Sequence, residues 1–289
     1  MKNIAVLLTC YNRVGKTLLT LESLYSNIIP QGYNLDVYLV DDGSTDNTTE
    51  AVNKNFPNVY LIKGSGQLYW NQGIRLAWKN AANKKEYDFY FWLNDDTILD
   101  KNCIEEVINT YNEASTKEKS SVIVTIACRS KKESSIFSYG GRSEKGPIIP
   151  NGCLQKCKYI NGNGVLVPKE IYEILGNLSN DYTHGIGDID YGLRAAQNNF
   201  NCYTSKHYLA TCPMNNSIPT WRNPDVTIFT RLKSLHSPLG MNIKEYIHFR
   251  KKFHGYKWLF YAAKVYLKIL FPRYYKQKYS DIPKTSFKK

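Results

Sequence analysis

Short apolar runs alternate with amphipathic stretches along the first 128 residues of the chain. The apolar runs have the length of buried strands, and the stretches between them repeat apolar side chains at helical spacing. We predict strands at 4–9, 35–40, 58–62, 88–93 and 121–127, and helices at 14–27, 46–55, 70–83 and 102–114. This alternation predicts an α/β fold with a mostly parallel, Rossmann-like sheet that is flanked by helices on both faces.

The pattern changes after residue 128 to shorter pieces rich in glycine and serine. We predict a turn at 139–142, a strand pair over 159–168, a helix over 188–199, a strand over 201–210 and helices from Thr220 onward. The sequence therefore predicts a first domain over 1–215, with halves at 1–128 and 129–215, and a helical C-terminal region over 216–289.

Positive charge is concentrated at the C-terminal end of the chain. The formal net charge is +13, and residues 244–289 supply +11 of it, with thirteen Lys or Arg against Glu245 and Asp281. The remaining body is nearly neutral, so it lacks the basic face that a nucleic-acid substrate requires. A basic, aromatic-rich tail instead predicts contact with an anionic membrane surface.

Residues 244–271 predict an amphipathic basic helix. Six apolar side chains share one stripe of it: Phe249, Phe253, Tyr256, Phe260, Leu267 and Leu270. The aromatic residues suited to the depth of lipid headgroups are Trp258, Tyr261, Tyr266, Tyr274, Tyr275 and Tyr279. We expect this helix to attach the protein to an anionic inner leaflet. The alternative is that it packs on the first domain or on a second subunit of a homo-oligomer.

The cysteines and the N-terminus predict a cytoplasmic protein. The N-terminal apolar run at 4–9 is too short for a signal peptide, and no segment approaches the roughly 20 apolar residues that span a bilayer. The seven cysteines are scattered and odd in number, which fits a reducing compartment. Cys153 and Cys157 lack a second Cys or His pair at zinc spacing, so we predict ordinary thiols. The expected location is the cytoplasm, peripheral on the inner face of the membrane.

An apolar strand at 88–93 ends in Asn94 and two adjacent carboxylates, Asp95 and Asp96. Neighbouring carboxylates raise each other's pKa, and a divalent cation held by oxygen ligands relieves their repulsion. The acid pair therefore predicts a metal site. The alternative is that one of the two acids N-caps the helix at 102–114.

Polar clusters follow three of the predicted strands, at residues 9–13, 41–46 and 94–96. The carboxyl ends of parallel strands meet at one edge, where open α/β sheets bind ligands. The acids of 41–46 can accept hydrogen bonds from a base or ribose, or Ser44 or Asp46 caps the strand-to-helix turn. Residues 64–69 lack the third glycine of a dinucleotide fingerprint, and the chain contains no P-loop.

These three clusters, in this order, resemble family 2 glycosyltransferases of the GT-A fold, and the resemblance covers roughly residues 3–212. Residues 64–75 are similar to a stretch in bacterial members that assemble capsule, O-antigen and related polysaccharides. Ser237-Pro238-Leu239-Gly240 and the helix after it are similar to the tail of that subgroup. The resemblance implies a metal-dependent enzyme that moves a sugar from a UDP- or dTDP-sugar, with inversion, to a glycan or lipid-linked saccharide acceptor.

The resemblance also assigns donor and metal residues by motif. Asp41 or Asp42 would hold the uracil or thymine imide, and the same nucleoside pocket would be lined by Thr9, Tyr11 and Arg13. Asp96 would bind Mg²⁺ or Mn²⁺, and Asp95 would touch the ribose or the metal. His207 is a candidate for a further ligand, and the alternative is a structural role. The first acid of the family's Asp-x-Asp motif is Asn94 here, which predicts weaker metal binding.

A second set of carboxylates lies in residues 185–194. By the resemblance, Asp188 opens a helix and is the base that takes the proton of the acceptor hydroxyl. The alternative is a structural role, in which Asp188 caps the helix and Asp190 pairs with Arg194 at i,i+4 spacing. We assign that role mainly to Asp190. In the resemblance Gly187 replaces an acid. The glycines of the 162–164 turn would let the backbone approach the donor sugar or the acceptor, and the alternative is a plain hairpin turn. His184 is a candidate for contact with the acceptor.

Two other functions fit parts of this pattern. A non-catalytic nucleotide- or sugar-binding protein could keep the same scaffold, although retention of both Asp96 and Asp188 weighs against it. A sugar-1-phosphate nucleotidyltransferase should carry a Gly-rich loop with Arg and Lys after the first strand, which residues 9–13 do not provide. The sequence does not distinguish rhamnose, galactofuranose, glucose and galactose as the transferred sugar.

Overall fold

The chain forms two compact units, the first over Met1–Met214 and the second beginning at Asn215. The computed structural model describes residues 1–215 and 217–275. Residue 216 and residues 276–289, and with them Tyr279 and Asp281, lie outside the described part. Within the described ranges, no helix combines the length and the apolar character needed to cross a bilayer.

The first unit alternates strands and helices along most of its length. Its strands are β1 (Lys2–Cys10), β2 (Tyr33–Asp41), β3 (Tyr60–Lys63), β4 (Phe89–Leu93), β5 (Ile98–Leu99), β6 (Ile123–Arg129), β7 (Phe137–Tyr139), β8 (Arg142–Ser143), β9 (Gly146–Pro147), β10 (Gln155–Cys157), β11 (Gly164–Pro168) and β12 (Cys202–Thr211). Its helices are α1 (Val14–Tyr25), α2 (Thr48–Asn55), α3 (Tyr69–Lys84), α4 (Cys103–Glu118), α5 (Lys169–Leu175) and α6 (Gly187–Gln197).

One large sheet organises this unit, with the strand order β10-β12-β6-β11-β4-β1-β2-β3. β1 pairs in parallel with both β2 and β4, β2 pairs in parallel with β3, and β12 pairs in parallel with β6. β11 runs antiparallel between β4 and β6. The predicted mostly parallel sheet is confirmed.

Helices cover both faces of the sheet. Along β1, Ile4, Val6 and Leu8 belong to one buried cluster with side chains of α1 and α4, while Ala5 and Leu7 belong to another with side chains of α3 and α6. Successive residues of a strand point to opposite faces, so a strand that is buried on both faces must be apolar throughout. This is why the sequence of β1 shows a continuous apolar run rather than an alternating one.

The helix–strand order predicted for the first unit is confirmed, with element ends shifted by a few residues. The predicted strand pair over 159–168 is wrong, because only its second part forms a strand, β11. Tyr159 makes an isolated bridge to Arg142, and residues 162 and 163 form a turn. The segment 129–158, whose pattern predicted only a turn, contains the short strands β7 to β10.

The second unit contains α7 (Ile228–Leu235), α8 (Ile243–His254) and α9 (Trp258–Leu270), with short 3₁₀ helices at Thr220–Arg222 and Gly255–Lys257. Its small core consists of Trp221, Leu235, Ile243, Val265 and Ile269. The single helix predicted over 244–271 is wrong, because α8 ends at His254 and its C-cap residue, Gly255, has a φ of 51°. The predicted apolar stripe is split as well, since Phe249 is buried while Phe260 and Leu267 are exposed.

Candidate functional site

The polar clusters that follow β1 and β2 meet at the carboxyl edge of the sheet. Cys10 at the end of β1 lies beside Asp41 at the end of β2. The backbone N–H of Asn12 donates to Ser44 Oγ (2.9 Å), and Asn12 Oδ1 accepts the N–H of Thr45 (2.7 Å). The predicted convergence of these clusters is confirmed, and Asn12 is the residue that joins the two loops.

Asp95 and Asp96, which follow β4 on the same edge, share one cationic partner. Arg13 Nη1 lies 3.2 Å from Asp95 Oδ1 and 3.2 Å from Asp96 Oδ2, and Lys16 Nζ lies 3.9 Å from Asp96 Oδ2. Burial raises the pKa of Asp95 to about 6, although the charge of Arg13 acts in the opposite direction. Asp95 Oδ1 and Asp96 Oδ2 thus converge on one position, and this position is occupied by the positive charge of Arg13.

The acid pair does not cap the following helix. The N-cap of α4 is Asn102, and β5 lies between the acid pair and this helix. The alternative in which Asp95 or Asp96 is an N-cap is therefore wrong.

Residues far apart in sequence surround the acid pair. Trp70 Nε1 donates to Asn94 Oδ1 at 2.6 Å. Cys212 Sγ lies 3.8 Å from Asp96 Oδ1 and accepts from Asn163 Nδ2 at 3.1 Å. All seven cysteines are free, as predicted. No motif or spacing in the sequence distinguishes Cys212 from the other six.

Asp41 and Asp46 stabilise the loops at the edge of the sheet. Asp41 Oδ1 accepts the N–H of Ser44 (2.8 Å), and its Oδ2 accepts the hydroxyl of Thr49 (2.6 Å). Asp46 Oδ2 accepts the N–H of Val14, the first residue of α1, at 2.9 Å. Asp46 therefore caps α1, and its Oδ1 also accepts the hydroxyl of Thr48, the first residue of α2. The turn after β2 is held by Asp41.

Asp42 anchors the loop at 64–68 that leads into α3. Its Oδ1 accepts the N–H of Gly66 (2.8 Å), and its Oδ2 accepts those of Leu68 (2.8 Å) and Tyr69 (3.0 Å). A side chain at Gly64 would collide with it, since a Cβ there would lie 2.6 Å from Asp42 Oδ1. Close backbone approach to this carboxylate therefore requires the glycine.

Three other residues were predicted to bind the donor or the metal, and they differ in exposure: Thr9, Tyr11 and His207. Thr9 is buried under α3, where a Cβ on Gly73 would lie 2.2 Å from its Oγ1, whereas Tyr11 is exposed. His207 is exposed on an irregular part of β12. Over residues 1–215 and 217–275 no three His, Cys, Asp or Glu side chains are grouped so as to hold a metal. The structure does not bring His207 to the acid pair.

Asp188 lies in the first turn of α6, where two backbone N–H groups hold its carboxylate. Gly162 N–H donates to Oδ2 (3.0 Å) and Ile189 N–H donates to Oδ1 (2.8 Å). Burial raises the pKa of Asp188, and these two hydrogen bonds act in the opposite direction. Gly162 packs directly on the ring of Trp70, since a Cβ there would lie 2.2 Å from Cζ2. Asp188 is thereby connected through Gly162 and Trp70 to Asn94, the residue before the acid pair.

The N-terminal part of α3 holds the segment 177–184, which precedes Asp188. Asn71 Nδ2 donates to the carbonyls of Ser179 (2.9 Å) and Tyr182 (2.6 Å), and Arg75 Nε donates to the carbonyl of Leu178 (3.0 Å). The 64–75 sequence, which carried the resemblance to bacterial members, thus binds Asp42 at its start and the segment 177–184 farther along. The sequence of this stretch indicates its importance, but its contacts with the segment 177–184 are not apparent from the sequence.

The side chain of His184 contacts the first residues of α3 and is close enough to Arg13 to feel its charge. The N–H of Trp70 donates to His184 Nδ1 at 3.4 Å, and the ring meets Tyr69 edge-on. Burial lowers the pKa of His184, and the charge of Arg13 lowers it further. A neutral ring that accepts at Nδ1 carries its proton on Nε2 and is a hydrogen-bond donor there.

Asp190 has the structural role that we assigned to it. The buried carboxylate accepts Arg194 Nε at 2.8 Å and the hydroxyl of Tyr182 at 3.1 Å. Arg194 also donates to the carbonyls of Leu175 and Asn177. The predicted i,i+4 pair is confirmed, and it fixes the start of α6.

Replacement of Gly187 by Ala is expected to lower the free energy of unfolding by about 1–3 kcal/mol and to reduce any activity that depends on Asp188. A Cβ at this position would lie 1.8 Å from Asn71 Oδ1, so α6 or Asn71 must move. Urea denaturation checks the effect, with Gly185→Ala as the matched control because a Cβ on Gly185 meets nothing within 4 Å. Equal stability of the two variants would contradict the prediction.

Among curated proteins, the chain is similar to polysaccharide synthases of staphylococci. It is 28% identical over 163 residues to the poly-beta-1,6-N-acetyl-D-glucosamine synthase of Staphylococcus aureus strain MSSA476, and this match covers 56% of the chain and 37% of that protein. The synthase of the same name from Staphylococcus epidermidis is 27% identical over 168 residues. The similarity thus spans little more than a third of the length of these relatives.

Two solved structures share the fold. Staphylococcus aureus TarS 1-349 in complex with UDP is 14% identical, with a TM-score of 0.54 over 86% of this chain and 69% of that one. A mannosyltransferase from Pyrobaculum calidifontis, in complex with GDP-Man and Mn²⁺, is 15% identical, with a TM-score of 0.55 over 91% of this chain and 73% of that one. These likenesses confirm the predicted GT-A fold.

The sequence profile of the family described as Glycosyl transferase family 2 matches residues 5–156, which is more than half of the chain. The match contains the acid pair, Asp42 and the glycine-containing loop that Asp42 anchors. The chain belongs to glycosyl transferase family 2.

Proposed function

We propose that this glycosyltransferase is an inverting enzyme that transfers a sugar from a UDP- or dTDP-sugar, with Mg²⁺ or Mn²⁺, to a glycan or lipid-linked saccharide. The proposed pathway is the synthesis of a bacterial surface polysaccharide such as capsule or O-antigen. The observation that carries the proposal is the placement of Asp188, a partly buried carboxylate connected through Gly162 and Trp70 to the residue before the acid pair. The polysaccharide synthase names of the relatives and the UDP bound to TarS support the same function.

The acid pair suits a divalent cation. Asp95 Oδ1 and Asp96 Oδ2 already converge on Arg13 Nη1, and Mg²⁺ sites of nucleotide enzymes commonly use one or two carboxylates plus substrate phosphates and water. When bound, the cation would offset the charge that develops on the departing nucleotide. Arg13 and Lys16 hold the carboxylates in its place and are positioned to contact the same phosphates.

Asp188 supplies the base. Its Oδ2 accepts the N–H of Gly162 and its Oδ1 accepts that of Ile189, and the N–H of Asp188 itself is a further donor. A carboxylate has about four lone-pair sites, so one remains for the acceptor hydroxyl. The acceptor oxygen bonds to the anomeric carbon from the face opposite the diphosphate, the bond to the diphosphate breaks, and the hydroxyl proton passes to Asp188. The raised pKa of Asp188 makes it a stronger base than an exposed Asp.

The nucleoside would lie on the edge formed by β1 and β2. Asp41 and Asp42 are both buried and already bind loop N–H or hydroxyl groups, so contact with the uracil or thymine imide would use a remaining lone pair of one of them. Tyr11 is exposed on this edge and would cover the base, with Thr9 below. Residues 1–128 would then form the donor half and residues 129–215 the acceptor half.

Calorimetric titration of UDP, dTDP and GDP, each with Mn²⁺ and with EDTA, tests the donor site. We expect one nucleotide to bind with Mn²⁺, and its affinity to fall at least about tenfold in EDTA and in Asp96→Ala. Glu86→Gln, which alters an exposed acid paired with Lys169, is the control and should bind normally. Failure of all three nucleotides to bind would overturn the proposal and favour a non-catalytic scaffold.

We place the enzyme in the cytoplasm, peripheral on the inner face of the membrane, where a lipid-linked saccharide would be accessible. The basic tail supports this location, since residues 244–289 supply most of the net positive charge. Whether the protein is a homo-oligomer is decided by light scattering on the purified chain.

A further inference from the structure

Helix α9 has two apolar faces. Ala262, Val265 and Ile269 are buried, and two of them belong to the core of the second unit. At 100° per residue, Phe260 and Leu267 lie on the opposite side of the helix from these buried residues, and Leu259 and Leu270 lie between the two sides. These four residues are 59%, 68%, 43% and 55% exposed. We call them the outer face of α9.

The outer face is unusual for a helix of a soluble domain. Such helices normally bury one apolar stripe and turn charged or polar residues to water. Phe271 and Tyr274 continue the exposed apolar surface beyond the last residue of α9. A contiguous exposed apolar surface of this kind marks a binding site rather than scattered exposure.

Positive charge borders the outer face. Lys264 and Lys268 are one turn apart and fall between the buried residues and the outer face of α9. Lys257 and Arg273 lie just before and just after the helix, and residues 256–275 contain no Asp or Glu. An apolar strip bordered by positive charge complements a surface with an apolar interior and negatively charged groups at its boundary.

We propose that the outer face of α9 lies on an anionic lipid bilayer, with Leu259, Phe260, Leu267 and Leu270 in the region between headgroups and acyl chains. A second copy of the chain is a poorer occupant. An antiparallel twofold contact between two outer faces would bring Lys264 and Lys268 of one copy against the same residues of the other, and residues 256–275 offer no acid to pair with them. The proposal uses only residues of the second unit, so it does not depend on the proposed catalytic function.

Co-sedimentation of the full chain with phosphatidylcholine vesicles, with and without phosphatidylglycerol, tests the proposal. The triple variant Leu259→Ser, Phe260→Ser and Leu267→Ser is expected to lower the partition coefficient at least about tenfold. The matched control is Leu19→Ser, Ile136→Ser and Ile174→Ser, which alters residues of similar exposure in the first unit and should bind normally. The pair Lys257→Gln and Lys264→Gln should weaken binding about fivefold per lysine at low salt.

Three results would overturn the proposal. The first is equal vesicle binding by the wild-type protein and the outer-face variant. The second is that the wild-type protein does not bind anionic vesicles. The third is that the wild type is a dimer, the outer-face variant is a monomer, and neither binds vesicles. Nucleotide titration of the outer-face variant separates the two proposals. If the outer-face variant loses vesicle binding but keeps the nucleotide affinity of the wild type, the result supports the lipid surface. If no protein binds nucleotide, the wild type included, the result counts against the proposed catalytic function only.

Discussion

Replacement of Asp188 by Asn is expected to lower kcat by about 10²–10⁴ while leaving nucleotide affinity nearly unchanged. The amide cannot take the acceptor proton, whereas the acid pair and the loops after β1 and β2 do not contact Asp188 in any hydrogen bond of the site. One of the two N–H bonds to residue 188 would face an amide nitrogen, so we expect a stability loss of only about 1 kcal/mol. Release of UDP or dTDP in the presence of acceptor measures the rate.

Asp190→Asn is the contrasting variant. Asp190 is buried and paired with Arg194, so its replacement should lower the free energy of unfolding by about 3 kcal/mol and reduce activity mainly through unfolding. If Asp190→Asn reduces kcat as strongly as Asp188→Asn at a temperature where both are folded, Asp188 is not the base.

The pH profile gives an independent check on Asp188. The base must be ionised, so kcat/KM should fall as the pH drops through its pKa, and burial raises that pKa above the ordinary value for Asp. The acidic limb should therefore lie at higher pH than for an exposed carboxylate. Persistence of that limb in Asp188→Asn would assign it to another group.

Replacement of Asp96 by Asn is expected to lower kcat/KM by about a thousandfold at low Mn²⁺, and added Mn²⁺ should recover part of the loss. The change removes one of the two oxygens that converge on the cation position now held by Arg13. Initial rates over a range of Mn²⁺ concentrations measure the effect. Asn94→Asp is the matched gain-of-charge variant, because a carboxylate can still accept the Trp70 Nε1–H bond.

Asp96→Asn and Asn94→Asp should change the Mn²⁺ concentration for half-maximal rate in opposite directions. Asn94→Asp is expected to lower the Mn²⁺ concentration for half-maximal rate, since it restores the acid that the family motif carries there. A rate that is independent of Mn²⁺ in the wild type and in both variants would remove the metal from the proposed function.

The sheet and its ligand edge could be predicted because local patterns determine them. The continuous apolar run of β1 indicates burial on both faces, and the carboxylates after β2 and β4 come directly after such runs. Parallel pairing then requires these acids to meet. Asp190 was also predictable, because its partner Arg194 is one helical turn away.

The contacts that the sequence did not reveal join distant segments. Cys212 lies beside Asp96 across 116 positions, and Asp46 caps α1 although its own helix, α2, begins two residues later. Neither contact leaves a periodic trace in the sequence. The interruption between α8 and α9 at Gly255 is not apparent from the sequence for a different reason. The apolar residues before and after Gly255 follow one helical spacing.

Helix α3 has a consequence for chimaeras that would test the proposed acceptor half, residues 129–215. The segment 177–184 would be the natural piece to exchange with a relative, yet Asn71, Gln72 and Arg75 bind its carbonyls. A transplanted segment with a different backbone path would leave these donors without partners. Exchange of the segment together with residues 64–75 should give folded chimaeras more often than exchange of the segment alone.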